Sequence, residues 1–342
     1  MEEILFIGPI ANMGGPAIKN KILIEQLHEC ANICVWNTYD RSFKVRVGAI
    51  VKILFSKNKY IIIAVSRKGR NLLYPVVLLK NQLCKTHFSC IAIGGQVEES
   101  FNNSLSVKAL HVADLVTVET KGLMNRMNEK FDLKNLYWMP NYKKTSSYHL
   151  KNDLNKFNSK HIKFMFLSSM RNLKGVKTLI DAFSFVKNSG FDISVDFYGP
   201  IKKDFDSKYL EEIKETDGMR YCGEVNNNKV LDVMNEYHVF IFPTEYPGEG
   251  FPAVLVEALT VGLPIIASDV NYNREIVEDT VNGFIYSKGN VLELSNKMKY
   301  CCLHREELKE ISKKNEIYAK QYNSKNVINS YCDALRGKGW PI

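Results

Sequence analysis

Short β-rich runs alternate with helix-length amphipathic runs along this chain, pause, and then begin again. "ILFIG" (4–8) precedes "AIKNKILIEQLHEC" (17–30), "NICVW" (32–36) precedes "VRVGAIVKILF" (45–55), and "YIIIAVS" (60–66) precedes "NLLYPVVLLKNQL" (71–83). "FSCIAIGG" (88–95) and "LVTVE" (115–119) continue the series. This is the pattern of a parallel sheet wrapped by helices. After "NLYWMPN" (135–141) a Lys- and Asn-rich interval runs to about Lys160 and marks the best domain boundary. The alternation then restarts with "IKFMFLS" (162–168), "VKTLIDAFSFVK" (176–187) and "DISVDFYG" (192–199), and runs on to "HVFIFP" (238–243), "PAVLVEALTVG" (252–262) and "PIIAS" (264–268). The expected fold is α/β, with two Rossmann-like domains, residues 1–150 and 151–342, whose parallel sheets face each other across a cleft. The last helix is free to return to the first domain. At 342 residues the chain is too long for one ordinary core, which agrees.

The charge is lopsided. Residues 1–150 hold 20 Lys and Arg against 11 Asp and Glu, whereas the remainder holds 26 of each, so the net +9 sits in the first half. Between Arg41 and Val97 there are eleven cations and no acid. Such a stretch is either a solvated basic face or a surface for anionic lipid headgroups. "FKVRVGAIVKILF" (43–55) favours the second, because it interleaves cations with large apolar groups. There is no recognisable nucleic-acid module, so nucleic acid is not an expected partner. Apolar runs such as "YIIIAV" (60–65) fall far short of the roughly 20 residues that span a bilayer. The opening "MEEILFIGPI" is acidic before it is apolar, unlike a signal peptide, so a cytoplasmic location is expected. The eight cysteines form no CxxC pair and are expected as reduced thiols.

Three loops could hold an anion. Gly14-Gly15 opens a helix, where backbone N–H groups favour negative charge, although loop glycines after strands also occur for steric reasons alone. "SSMRNLKG" (168–175) places Arg171 and Lys174 between a strand and a helix, either as a solvated turn or as donors to a diphosphate. "GEGFP" (248–252) combines Gly248 and Gly250, which let backbone approach a ligand, with Pro252 at an expected first helical position. Eight residues after Glu249 comes Glu257, in the apolar run "AVLVEALTV" (253–261). Its neighbours at three and four positions are Ala253, Val254, Thr260 and Val261, so no cation is at hand along the helix. A buried carboxylate without partners is costly. Glu257 therefore either meets a distant Lys or Arg or accepts hydrogen bonds from the vicinal hydroxyls of a ribose.

The stretch 242–286, with its E-x7-E spacing inside GEGFP…EAL, resembles the nucleotide-binding segment of the retaining family 4 glycosyltransferases of the GT-B fold. The likeness extends through "GG" (14–15), "ADLVTVET" (113–120), "MPN" (139–141), "FLSSMRNLKGVKTLIDAF" (166–183), "FYGP" (197–200) and "YCGEV" (221–225). The resemblance implies that Glu257 holds the ribose, and that Glu249 with the backbone of Gly250, Phe251 and Pro252 holds the donor sugar and its phosphates. It implies that Lys174 binds the diphosphate leaving group and that Gly14 and Gly15 close on it from the other domain. Lys174, Glu249 and Arg171 are the candidate catalytic residues. The family's arginine two residues after the strand is Ser169 here, with Arg171 two residues further on. The histidine that many members carry after the fourth strand is also missing, since "CIAIGG" ends in Gly94-Gly95; His111, the nearest in sequence, falls in an expected helix.

The implied activity is a retaining transfer of sugar from a nucleoside-diphosphate sugar to a hydroxyl of a lipid-linked glycan, in bacterial surface polysaccharide synthesis such as capsule or lipopolysaccharide. The basic first half would then dock on the cytoplasmic face of the inner membrane. No cofactor or metal is expected. The one D-x-D, Asp204-Phe205-Asp206, precedes an expected helix and reads as a cap. The alternatives are a non-catalytic nucleotide-sugar-binding subunit, an isomerase acting on the nucleotide sugar and, more weakly, a basic nucleic-acid binder.

Overall fold

The computed structural model describes residues 2–12, 14–40, 42–101, 103–144 and 153–342. The chain forms two compact units, Met1–Lys144 with Tyr322–Ile342, and Thr145–Gln321. The boundary expected at 150/151 falls outside the described residues.

In the first unit the strands are β1 (Glu3–Gly8), β2 (Asn32–Asn37), β3 (Tyr60–Ile63), β4 (His87–Ala92), β5 (Leu115–Val118) and β6 (Leu136–Trp138). They make one parallel sheet in the order β2-β1-β3-β4-β5-β6. The crossovers are α1 (Gly15–Leu27), α2 (Phe43–Phe55), α3 (Arg67–Cys84), α4 (Ser104–Val112) and α5 (Lys121–Phe131). Ile4–Ile7 and Ile61–Ile63 are fully buried, as strands covered on both faces must be. Helix starts follow local chemistry: Thr120 Oγ1 accepts from the Leu123 N–H at 3.1 Å and so caps α5.

The second unit repeats the plan with a different strand order. Its strands are β7 (Ile162–Leu167), β8 (Ile193–Tyr198), β9 (Met219–Gly223), β10 (Val239–Phe242), β11 (Ile265–Asp269) and β12 (Gly283–Ser287). All pair in parallel, in the order β12-β11-β10-β7-β8-β9. Between and after them lie α6 (Val176–Asn188), α7 (Ser207–Glu215), α8 (Val230–Met234), α9 (Ala253–Thr260), α10 (Val291–Leu303) and α11 (Arg305–Ala319). Asp206 caps α7 by accepting from the Lys208 N–H at 3.1 Å, so half of the D-x-D has a structural task.

The last helix, α12 (Ser324–Arg336), packs in the first unit. Its stripe Val327, Ile328, Tyr331, Cys332 and Leu335 is buried in the same core as Ile4, Leu23 and Ile62. Tyr331 Oη bonds Ser89 Oγ at 2.8 Å, and Trp340 Nε1 donates to Asp114 at 2.9 Å.

Strand order fixes where a ligand can sit. In a doubly wound sheet the crevice opens at the carboxyl ends of the two strands where the order reverses. Those strands are β1 and β3 in the first unit, and β7 and β10 in the second.

Candidate functional site

The loops after β7 and β10 flank the reversal point of the second unit, and they are tied together. The Glu245 N–H donates to the Leu173 carbonyl at 2.9 Å, and Thr178 Oγ1 at the start of α6 donates to Glu245 Oε1 at 2.6 Å. Gly175 makes the close approach possible. Its φ is +70°, and a Cβ there would lie 1.8 Å from the Pro243 carbonyl oxygen. Only glycine fits that turn.

Lys174 and Glu249 meet across this joint. Lys174 Nζ stands 2.5 Å from Glu249 Oε2, and both side chains are about 85% buried (14% and 15% exposed). Thr244 Oγ1 donates to the same carboxylate oxygen at 2.9 Å, and the ammonium also lies 5.1 Å from the centre of the Tyr246 ring. An ammonium carries three donors. One meets Glu249, which leaves capacity for an incoming anion. The GEGFP loop is braced from behind by Asn271, whose Nδ2 donates to the carbonyls of Pro247 at 2.6 Å and Glu249 at 2.9 Å. Ser268 Oγ in turn donates to the Thr244 carbonyl at 2.5 Å.

Glu257 lies on α9 and is 6% exposed, so the sequence placed it correctly inside an apolar helix. Phe251 and Pro252 are buried and Gly250 is partly buried at the entrance to that helix. Pro252 is a correction. It has φ −67° and ψ 117°, so it is the residue before the helix, and α9 begins at Ala253. Its carbonyl accepts from the Leu255 N–H at 3.1 Å.

Arg171 is not drawn into the cluster described above. It precedes the short turn Asn172–Lys174, is half exposed, and lies 3.7 Å from Asp204. Gly14 and Gly15 belong to the first unit, where Gly14 takes φ +85° and accepts from the N–H groups of Ala17 and Ile18. At Gly94, where the resemblance puts a histidine nearby, the N–H donates to Glu119 Oε2 at 3.1 Å, and the other oxygen of Glu119 holds Lys19 Nζ at 2.8 Å. The histidines have other positions. His111 is exposed in the last turn of α4. His238 accepts from the Lys163 N–H and meets the Lys156 carbonyl, while burial pushes its pKa down to about 4, so it stays neutral.

Thr244, Glu245, Thr178 and Asn271 were not singled out from the sequence. The first two lie in "FPTEYPGEG", so their signal was adjacency to Glu249. Burial, with the Glu245 charge adding to it, raises the pKa of Tyr286 and keeps that neighbouring phenol neutral. Among the described residues no group of three His, Cys, Asp or Glu is placed to share a metal ion.

Two parallel Rossmann-like sheets in one chain constitute the GT-B architecture, and solved structures agree. A structure of Anabaena HepE in complex with UDP superposes with a TM-score of 0.75 at 16% identity, covering 98% of this chain and 100% of that one. Residues 151–317, a little under half of the chain, match the family model described as glycosyl transferases group 1. An uncharacterized glycosyltransferase of Haemophilus influenzae is 22% identical over 314 residues, covering 90% of this chain and 86% of the relative. The amylovoran biosynthesis glycosyltransferase AmsK of Erwinia amylovora is 24% identical over 140 residues, which is 39% of this chain and only 34% of that protein. The solved structures show the GT-B fold, and the similarity to glycosyl transferases group 1 falls within the second unit.

Proposed function

We propose that this chain transfers a sugar from a nucleoside-diphosphate sugar to a hydroxyl of a lipid-linked glycan, with retained anomeric configuration, in bacterial surface polysaccharide synthesis. The observation that carries the proposal is the pairing of Lys174 with Glu249 at the reversal point of the second sheet, with Glu257 buried on the helix that follows. Lys174 meets the diphosphate, and Glu249 holds Lys174 and accepts from sugar hydroxyls. Gly250, Phe251 and Pro252 present backbone to the donor, and Glu257 takes the ribose diol. The UDP held by the HepE structure and the amylovoran role in the name of AmsK are consistent with this class of donor and product.

In the proposed step the bond between the anomeric carbon and the phosphate oxygen breaks. Its electron pair stays on the diphosphate, the acceptor oxygen bonds the anomeric carbon on the same face, and the acceptor proton passes to the leaving phosphate. The Lys174 ammonium stabilises the growing charge, and the scheme calls on no metal. Radiolabelled donors incubated with and without a lipid-linked acceptor extract test the scheme. Acceptor-dependent label transfer that persists in chelator is expected. Tight donor binding without transfer would favour instead a non-catalytic nucleotide-sugar-binding subunit, a reading that Ser169 and the outlying Arg171–Asp204 pair support.

The membrane surface is a second component of the proposal. Phe43, Val47, Val51 and Phe55 repeat every fourth residue on α2 and are all exposed, the two phenylalanines at 79%. Lys44 and Lys52 flank them, and Leu79 and Leu83 of the neighbouring α3 are also exposed. Of the eleven cations in 41–97, Arg41 lies outside the described residues. No helix among the described residues is long and apolar enough to cross a membrane. An apolar stripe edged by cations suits the boundary of an anionic bilayer. Co-sedimentation with vesicles should rise with anionic lipid content, fall at high salt, and drop at least fivefold in Phe43→Ser/Phe55→Ser. Sedimentation indifferent to lipid charge removes this part.

A further inference from the structure

Two cysteines far apart in the sequence meet where the last helix returns to the first unit. Cys30 lies in the turn between α1 and β2 and Cys332 on α12. They are 302 residues apart, and their sulfurs are 3.9 Å apart. The Leu27 carbonyl fixes the turn, accepting from the Cys30 N–H at 3.1 Å and the Ala31 N–H at 2.8 Å. The Cys30 thiol donates to the same oxygen at 3.4 Å. Cys332 is part of the core that also contains Leu27, Ala31, Ile328 and Leu335. Both cysteines belong to one compact unit, so bringing them together needs no movement between the units.

The two thiols differ in access. Cys30 is half-buried, whereas Cys332 is 2% exposed. Burial, with the neighbouring Cys30 sulfur adding to it, pushes the pKa of Cys332 up. A buried cysteine by itself is ordinary packing. An accessible thiol with a second thiol in contact is the arrangement in which oxidation ends in a disulfide. Closing from 3.9 Å to the length of a sulfur–sulfur bond takes a shift of about 2 Å.

We propose that Cys30 and Cys332 form a reversible disulfide that latches the returning helix α12 to the first unit, with a low-molecular-weight disulfide as the oxidant. With oxidised glutathione, the Cys30 thiolate attacks one sulfur and the glutathione disulfide breaks. The electron pair leaves on one glutathione thiolate, which takes up a proton. The Cys332 thiolate then attacks the Cys30 sulfur of the mixed disulfide and expels the second glutathione. Two protein thiols are oxidised, and one disulfide is reduced to two thiols. The covalent ring runs from Cys30 through the whole second unit to Cys332, and a cross-link over so long a loop removes much freedom from the unfolded chain. The latch does not depend on the function proposed above.

The full chain, Cys30→Ser and Cys332→Ala are equilibrated in glutathione buffers from reduced to oxidised, alkylated, digested without reductant and read by mass spectrometry. The peptide linking Cys30 to Cys332 should accumulate in the wild type as the buffer becomes oxidising, and should disappear in dithiothreitol. Oxidation should raise the wild-type melting temperature by about 5 °C or more and leave that of the variants unchanged. Cys30→Ser alters only a half-buried turn residue, so it serves as the control if Cys332→Ala does not fold. Exposed Cys84 is the internal gauge of oxidation. Glutathione on Cys84 while Cys30 and Cys332 remain thiols would overturn the proposal, as would a Cys30 that stops at the mixed disulfide. A cross-linked chain that melts no higher than the reduced one would overturn the latch.

Discussion

Replacing Lys174 with Ala lowers kcat by about 10²–10³-fold while leaving donor affinity changed far less. That magnitude, about 3–4 kcal/mol, is typical for removing one fixed donor aimed at charge that develops in the transition state. Lys174 qualifies because its ammonium is held in place before the reaction, by a 2.5 Å contact with Glu249 that Thr244 shares. The single variant also strands a carboxylate that is 15% exposed, and that alone can destabilise the fold. The double variant Lys174→Ala/Glu249→Gln removes both charges and separates the effects. If Lys174 acts on the leaving group, a donor bearing a nitrophenolate in place of the diphosphate loses much less than the natural donor. Equal losses for both donors would make Lys174 a structural residue.

Replacing Gly175 with Ala destabilises the second unit by about 4 kcal/mol or more, in the range reserved for strain that the backbone cannot relieve. A left-handed conformation costs an L-residue roughly 1–2 kcal/mol by itself. The larger contribution is the clash, since the new Cβ would sit 1.8 Å from the Pro243 oxygen and 2.7 Å from its carbonyl carbon. Gly190 provides the comparison: φ is +84° there, but nothing lies within 4 Å of an added Cβ. Gly190→Ala should therefore show the conformational cost alone. Denaturant midpoints measure both, and similar values for the two variants would mean that the joint between the two loops yields easily.

The two-unit α/β plan was legible because parallel strands covered on both faces have to be apolar throughout. "ILFIG", "YIIIAV" and "HVFIFP" have that composition, and the polar interval before Lys160 broke the series. The capping role of Asp206 was legible too, because it depends only on the residues that follow it. Contacts between distant positions were not. Lys174 and Glu249 are 75 residues apart and Thr178 and Glu245 are 67 apart, so no local rule pairs them. Asn271 braces the GEGFP loop from 22 residues downstream of Glu249. The one-residue offset at Pro252 comes from its extended ψ of 117°, which keeps it outside α9. The sequence left the last helix free to return to the first domain, and it does: Val327, Ile328, Tyr331, Cys332 and Leu335 fill that unit's core beside α1.

The whole account turns on an acidic side chain inside α9 recognising the sugar portion of a nucleotide, and a melting-temperature screen reaches that point most directly. Nucleoside diphosphates and their 2′-deoxy counterparts are added to the wild-type chain and to Glu257→Ala. At least one ribonucleotide should raise the wild-type transition, the deoxy form should do so less, and the variant should bind both weakly and alike. Two charge-assisted hydrogen bonds at about 1.5–3 kcal/mol each set the expected scale of the loss. A variant that still prefers the ribonucleotide as strongly as the wild type, or a wild-type chain that no nucleotide stabilises, would contradict it.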